Sequence, residues 1–215
     1  MGAPDMLLLD LDGTISDPAE GIGRSLDHAL ASYGYATLEP GTVSTHIGPP
    51  LDDTFRQLTG ATCADRIAGL VARYRERYAE RGYAENTLYP GIPEALAGLA
   101  DSGIPLGLCT SKRVDFAEQV LSHFALREHF VVVSGGDIGI PKAEQLRRLV
   151  DAGRVGSGSV MVGDRAVDVH AGRANGLRAV GVLWGHGSVE ELRAAGPDRL
   201  LAHPDELAGL AALVR

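Results

Sequence analysis

Two carboxylates one residue apart close an apolar run. Residues 7–14 read LLLDLDGT, so Asp10 and Asp12 follow a leucine-rich stretch, and Gly13 and Thr14 follow them. Side chains two apart on a strand point the same way, so both acids can address one reacting centre. Two close carboxylates resist ionising together, which separates their pKa values and lets one carry a proton while the other stays charged. Further along, LGLCT (106–110) closes on Thr110, with Ser111 and Lys112 next, and VMVGD (160–164) closes on Asp164, with Asp168 soon after. Lys142 opens a helical pattern behind the loop GGDIGIP (135–141). Of twenty basic residues only Lys112 and Lys142 are lysines, and both fall in this set.

The elements that must position these groups follow from the pattern of the chain. From about residue 86 onward, short apolar runs at 106–110, 131–134, 160–164 and 179–183 alternate with helical stretches at 114–124, 142–151 and 167–175. Strand and helix in alternation predict a parallel sheet with helices on both faces, an α/β doubly wound fold, with LLLDLD as its first strand. Ligands of such sheets bind beyond the carboxyl ends of the strands, which is where the acids, the hydroxyl and the lysine fall. Residues 16–84 differ, with helical patterns and no convincing strand. Thr62 is placed to cap a helix that carries Ile67, Leu70, Val71, Tyr74 and Tyr78 on one face. The expected organisation is a core of residues 1–15 and 85–215, with residues 16–84 inserted as a small helical cap.

Composition bounds the partners. The apolar fraction of 45% and charged fraction of 22% are those of a globular domain, and 215 residues suffice for a substantial core. A net charge of -8 argues against a nucleic-acid polymer or an anionic membrane surface as partner. With no long apolar run and no signal-like N-terminus, the expectation is a cytoplasmic protein, a monomer or weak homodimer. Cys63 and Cys109 are far apart and form no CxxC, so both are expected to be packing residues. The seven histidines show no ligand spacing. The glycines of GSGS (156–159) follow no first strand and do not indicate a dinucleotide site.

The ordered motifs resemble those of the haloacid dehalogenase superfamily of hydrolases, near the phosphoglycolate phosphatases. DLDGT matches the family's DxDGT, Thr110 its Ser/Thr motif, Lys142 its lysine, and GDRAVD (163–168) its GDxxxD. Ala143 departs from the proline that often follows the lysine. PKAEQL, together with VGDRAVDVHAGRANGLRAVGVLWGHGS, looks more like the 5'-nucleotidase-like branch. The resemblance implies that Asp10 attacks phosphorus and that Asp12 protonates the leaving oxygen, then activates water. It implies that Thr110 and Lys142 hold the phosphoryl oxygens, with Gly13, Thr14 and Ser111 beside the substrate. It also implies Mg²⁺ on Asp10, the backbone carbonyl of Asp12 and Asp164, with Asp168 as a ligand or the partner of one. HIGPPL (46–51) resembles the segment by which the family's insert faces the site, which makes His46 a candidate for substrate contact. The expected substrate is a small phosphorylated metabolite. A nucleoside monophosphate and inorganic pyrophosphate are the alternatives. A dehalogenase proper lacks the second aspartate, and a sugar phosphomutase usually has a histidine where Ile22 stands. A phospho-receiver domain, the alternative of another class, has no insert and places its acceptor aspartate after the third strand.

Overall fold

The computed structural model describes residues 2–136 and 140–214, so the middle of the GGDIGIP loop lies outside the described residues. The chain divides into two compact units, Met1–Asp17 with Leu88–Arg215, and Pro18–Thr87.

The larger unit starts with β1 (Leu7–Leu9), whose three leucines are wholly buried, as a central strand covered on both faces requires. The chain leaves through β2 (Ser16–Asp17). In the smaller unit come α1 (Ala19–Ser32), α2 (Leu51–Thr59) and α3 (Ala64–Glu80). The predicted stripe of α3, Ile67, Leu70, Val71, Tyr74 and Tyr78, is buried throughout. Tyr74 stacks on Tyr78 at 5.6 Å and meets Phe55 of α2 edge-on at 6.5 Å. The helix begins one residue later than Thr62 would set it: Cys63 is the N-cap, with no side-chain capping bond. Cys63 is also exposed, so it is not the packing residue expected of it. Arg77 clasps Glu85 through two hydrogen bonds of 2.8 and 2.9 Å, and Asn86 donates to the Tyr78 hydroxyl.

The chain returns through β3 (Thr87–Leu88), which pairs with β2, so the segment read as free of strand begins with a two-residue one. There follow α4 (Ile92–Asp101), β4 (Leu106–Arg113), α5 (Val114–His123), β5 (Phe130–Gly136) and α6 (Lys142–Asp151). Next are β6 (Val160–Gly163), α7 (Ala166–Ala174), β7 (Arg178–Val182), α8 (Val189–Ala195) and β8 (Arg199–Leu201). Six strands form one sheet in the order β5-β4-β1-β6-β7-β8, and every pairing is parallel. The chain thus winds outward from β1 to β5 and then resumes on the other side of β1 at β6. That reversal leaves a crevice beyond the carboxyl end of β1.

Register fixes what reaches the crevice. Leu9 lies level with Leu108 of β4 and Val162 of β6, so Asp10, Cys109 and Gly163 form the next row and Thr110 and Asp164 the one after. Strand β4 runs beyond that row, because a register shift lets Arg113 pair with Gly136. Beneath lies a core in which Met6, Leu8, Cys109, Leu146 and Met161 pack together. Burial there pushes the Cys109 thiol up to about 12, so it serves as a small apolar residue.

Candidate active site

Strand β1 stops at Leu9, so the two aspartates lie just beyond the strand rather than on it. Asp10 still joins the sheet, its N–H donating to Val162 O at 2.9 Å, but a tight turn comes at once. The Leu11 carbonyl accepts from the N–H groups of Thr14, Ile15 and Ser16, and Asp12 bridges to Ser16. Gly13 makes the turn possible. Its φ is +84°, and a Cβ there would lie 2.1 Å from Asp164 Oδ2. The turn, rather than a continuing strand, holds Asp12 near Asp10.

Asp10 and Asp12 meet different lysines. Lys142, at the first turn of α6 with a side chain only 1% exposed, sets its ammonium 3.0 Å from Asp10 Oδ1 and 2.5 Å from Asp168 Oδ1. Burial alone would lower its pKa, but the Asp10 and Asp168 carboxylates raise it, so the ammonium stays charged. Lys112, on the extension of β4, sets its ammonium 2.8 Å from Asp12 Oδ2. Burial pushes the Asp12 carboxyl up, and Lys112 draws it part of the way back.

The β6 end supplies the other acids. Asp168 accepts the Arg165 N–H at 3.0 Å as well as the Lys142 ammonium, so both its oxygens are engaged. Burial raises its pKa against the pull of Lys142. Burial, Asp10 and Asp168 together push the Asp164 carboxyl up to about 7. Oxygens of Asp10, Asp164 and Asp168 lie within 4.8 Å of one another. The buried Oδ1 atoms of Asp12 and Asp164 have no hydrogen-bond partner, and Asp10 Oδ1 has only the Lys142 ammonium beside it. Acids crowded this closely, with oxygens to spare, form a donor set for a hard cation.

Thr110 is buried, and its hydroxyl oxygen accepts the Lys112 N–H at 3.2 Å. Ser111 is exposed, while Thr14 is buried with no hydrogen bond to its hydroxyl. His46 closes a 3₁₀ turn, Val43–His46, in the smaller unit, where partial burial lowers its pKa and favours the neutral imidazole.

Several residues of this site escaped the sequence reading. Gln145 donates to Thr110 O at 3.2 Å and to Ser134 Oγ at 2.9 Å, tying α6 to the ends of β4 and β5. The loop after β7, LWGHGS, folds onto the acids. The His186 N–H donates to Asp164 Oδ2 at 2.8 Å, its ring lies 3.2 Å from Asp17, and the Trp184 indole N–H donates to Thr14 O at 3.0 Å. Gly185 allows this approach, since a Cβ there would be 2.3 Å from Gly13 O. The strand-end rule, applied to β7 as it was to β1, β4 and β6, would have flagged this loop.

Residues 7–182 match the haloacid dehalogenase-like hydrolase family. The chain belongs to that family and is a phosphoric monoester hydrolase. It is 39% identical over 200 residues to a 5'-nucleotidase of Pseudomonas aeruginosa, covering 91% of this chain and 90% of the relative. It is 32% identical over 202 residues to a phosphoglycolate phosphatase of Yersinia pseudotuberculosis, covering 90% and 87%. Among solved structures, protein tyrosine kinase A of Mycobacterium tuberculosis superposes with a TM-score of 0.80 at 33% identity, covering 98% of each chain.

Proposed function

We propose that the chain hydrolyses a small phosphomonoester, phosphoglycolate or one like it, through an aspartyl-phosphate on Asp10. The observation that carries this reading is the pairing of two neighbouring aspartates with separate lysines, Asp10 with Lys142 and Asp12 with Lys112. Two acids held apart in this way can take different roles. A carboxylate oxygen of Asp10 attacks phosphorus while Asp12 delivers its proton to the departing oxygen. Water then gives that proton back to Asp12 and attacks the aspartyl-phosphate, releasing inorganic phosphate and restoring Asp10. Lys142 and Thr110 hold the phosphoryl oxygens, with Gly13, Thr14 and Ser111 lining the approach.

The donor set fits Mg²⁺, which takes oxygen ligands and binds through few carboxylates together with substrate phosphate. Asp164, with a buried oxygen lacking a hydrogen bond, and Asp10 beside it would hold it with the Asp12 main-chain carbonyl. Asp168, whose oxygens are engaged, would fix Lys142. The ion would supply positive charge against the phosphoryl oxygens.

The helical unit, with His46, is assigned the choice of substrate. A second reading, a nucleoside monophosphate as substrate, is supported by the similarity to the Pseudomonas 5'-nucleotidase. Phosphate release from phosphoglycolate, nucleoside monophosphates and pyrophosphate, with Mg²⁺ and with EDTA, decides between them by kcat/KM. Acid quenching with radiolabelled substrate should leave alkali-labile phosphate on the wild-type chain and none on Asp10→Asn. Label persisting on Asp10→Asn overturns the mechanism. Label passing to a protein tyrosine instead of to water would point to the activity named for the mycobacterial relative.

A further inference from the structure

We infer that Lys112 is a positioning residue for proton transfer, holding one oxygen of Asp12 so that the other is the oxygen that exchanges the proton. The inference rests on the acid–base role proposed for Asp12 and adds a residue outside the motif set. Its ammonium lies 2.8 Å from Asp12 Oδ2, and the two side chains are 7% and 17% exposed. Oδ1 of the same carboxyl is buried and has no hydrogen-bond partner. The two oxygens of Asp12 are therefore unequal: one is clamped by a cation and the other, buried, is without a hydrogen-bond partner.

The backbone is built to make this contact. Strand β4 continues past the end of β1 through Lys112, and the Lys112 N–H is fixed on the Thr110 hydroxyl. A flexible side chain that keeps its ammonium largely out of water must gain enough from its partner to offset desolvation, which a nearby carboxylate supplies. Arginine would not substitute freely, because its planar fork cannot meet one oxygen as a compact ammonium does. The chain uses lysine only twice among its twenty basic residues, and the other is Lys142.

Two roles for Lys112 give different kinetics. A lysine that merely bound the phosphoryl group would weaken all substrates alike. One that aligns Asp12 matters only where the leaving oxygen needs a proton. An alkyl phosphate needs it, whereas p-nitrophenolate departs without it.

The test is rapid-quench single turnover with Mg²⁺, monitoring alcohol release from an alkyl phosphate and p-nitrophenolate release from p-nitrophenyl phosphate. Lys112→Met should slow alcohol release roughly 10- to 100-fold, within the range of a misaligned general acid, and change p-nitrophenolate release less than about threefold. Equal slowing of both, or of neither, overturns the inference. Asp12→Asn run in parallel separates the two levels. If it shows no leaving-group selectivity, the acid–base reading of Asp12 fails. If it is selective and Lys112→Met is not, only the role of Lys112 fails. Should the Met variant not fold, Lys112→Arg must show the same selectivity in smaller measure, and a uniform loss with Arg overturns the inference equally.

Discussion

Lys142 and Asp168 hold each other at 2.5 Å with side chains 1% and 0% exposed, and the same ammonium reaches Asp10 at 3.0 Å. The first turn of α6 and the first turn of α7 are thereby joined beside Asp10. Removing one member of a buried pair costs about 3–5 kcal/mol, because the other is left uncompensated. Lys142→Met should therefore lose activity and stability together. With the ammonium gone, the pull that Lys142 exerts on Asp168 is lost, and burial pushes that carboxyl further towards protonation in the folded state. The loss should then be largest near neutral pH and shrink in acid, where the Asp168 carboxyl takes up its proton. Denaturant midpoints across pH check this, and a loss independent of pH would mean that only packing was disturbed.

Asp164 gives the metal-free protein a signed pH dependence. Its carboxyl is pushed up to about 7, so the folded state holds a proton that the unfolded chain has already released. A group raised in this way stabilises below its unfolded pKa, and that stability is lost as pH rises through the folded value. In EDTA, the wild type should lose stability between about pH 4 and 7, on the order of 3 kcal/mol at most. Asp164→Asn should lack that slope. Millimolar Mg²⁺ should flatten it too, since a ligating carboxylate is deprotonated. Parallel slopes for wild type and Asp164→Asn in EDTA would refute the assignment.

Asp10→Asn removes the proposed nucleophile and also one charge from a crowded group of acids. It should abolish turnover while leaving stability in EDTA unchanged or raised, the pattern of a site held at some expense to the fold. Asp12→Asn should retain substrate binding and lose about 10²- to 10⁴-fold in turnover of an alkyl phosphate. Thermal melts and steady-state kinetics on both variants check this. Near wild-type phosphate release by Asp10→Asn would remove the basis of the mechanism.

Strand ends, more than strand lengths, made the site legible in the sequence. Apolar runs ending on Asp10, Thr110 and Asp164 correctly marked β1, β4 and β6, and Lys142–Asp151 is the helix α6 as read. Buried central strands print continuous apolar runs, and α6 begins directly behind Pro141, so both signals are local. The strands β2, β3 and β8, of two or three residues each, were illegible because, unlike the three leucines of β1, they print neither a continuous apolar run nor a period. Lys112 could not be placed in advance, since its reach to Asp12 depends on the register shift that prolongs β4. The loop of Trp184 and His186 follows β7, where the strand-end rule could have flagged it, but not its partners. The contacts with Thr14 and Asp164 arise from a loop crossing at close range, which glycines permit but do not announce.

His46 is the candidate that lies outside the larger unit. It ends a 3₁₀ turn and precedes Ile47, which is buried, and Gly48 with φ of +104°, so the segment is anchored and sharply turned. Pro49 and Pro50 stiffen the chain as it enters α2. A neutral imidazole on a stiff loop can donate or accept a hydrogen bond, which suits reading a polar group of a substrate rather than neutralising phosphate. If the helical unit chooses the substrate through this loop, His46→Ala should change the ratio of kcat/KM between phosphoglycolate and nucleoside monophosphates by about tenfold, the worth of one hydrogen bond. Hydrolysis of p-nitrophenyl phosphate should change little. The competing account gives the choice to core loops such as GGDIGIP, whose residues 137–139 lie outside those described. Under that account His46→Ala leaves all ratios as they were, and kinetics on the three substrates, with circular dichroism to show that the variant is folded, separates the two.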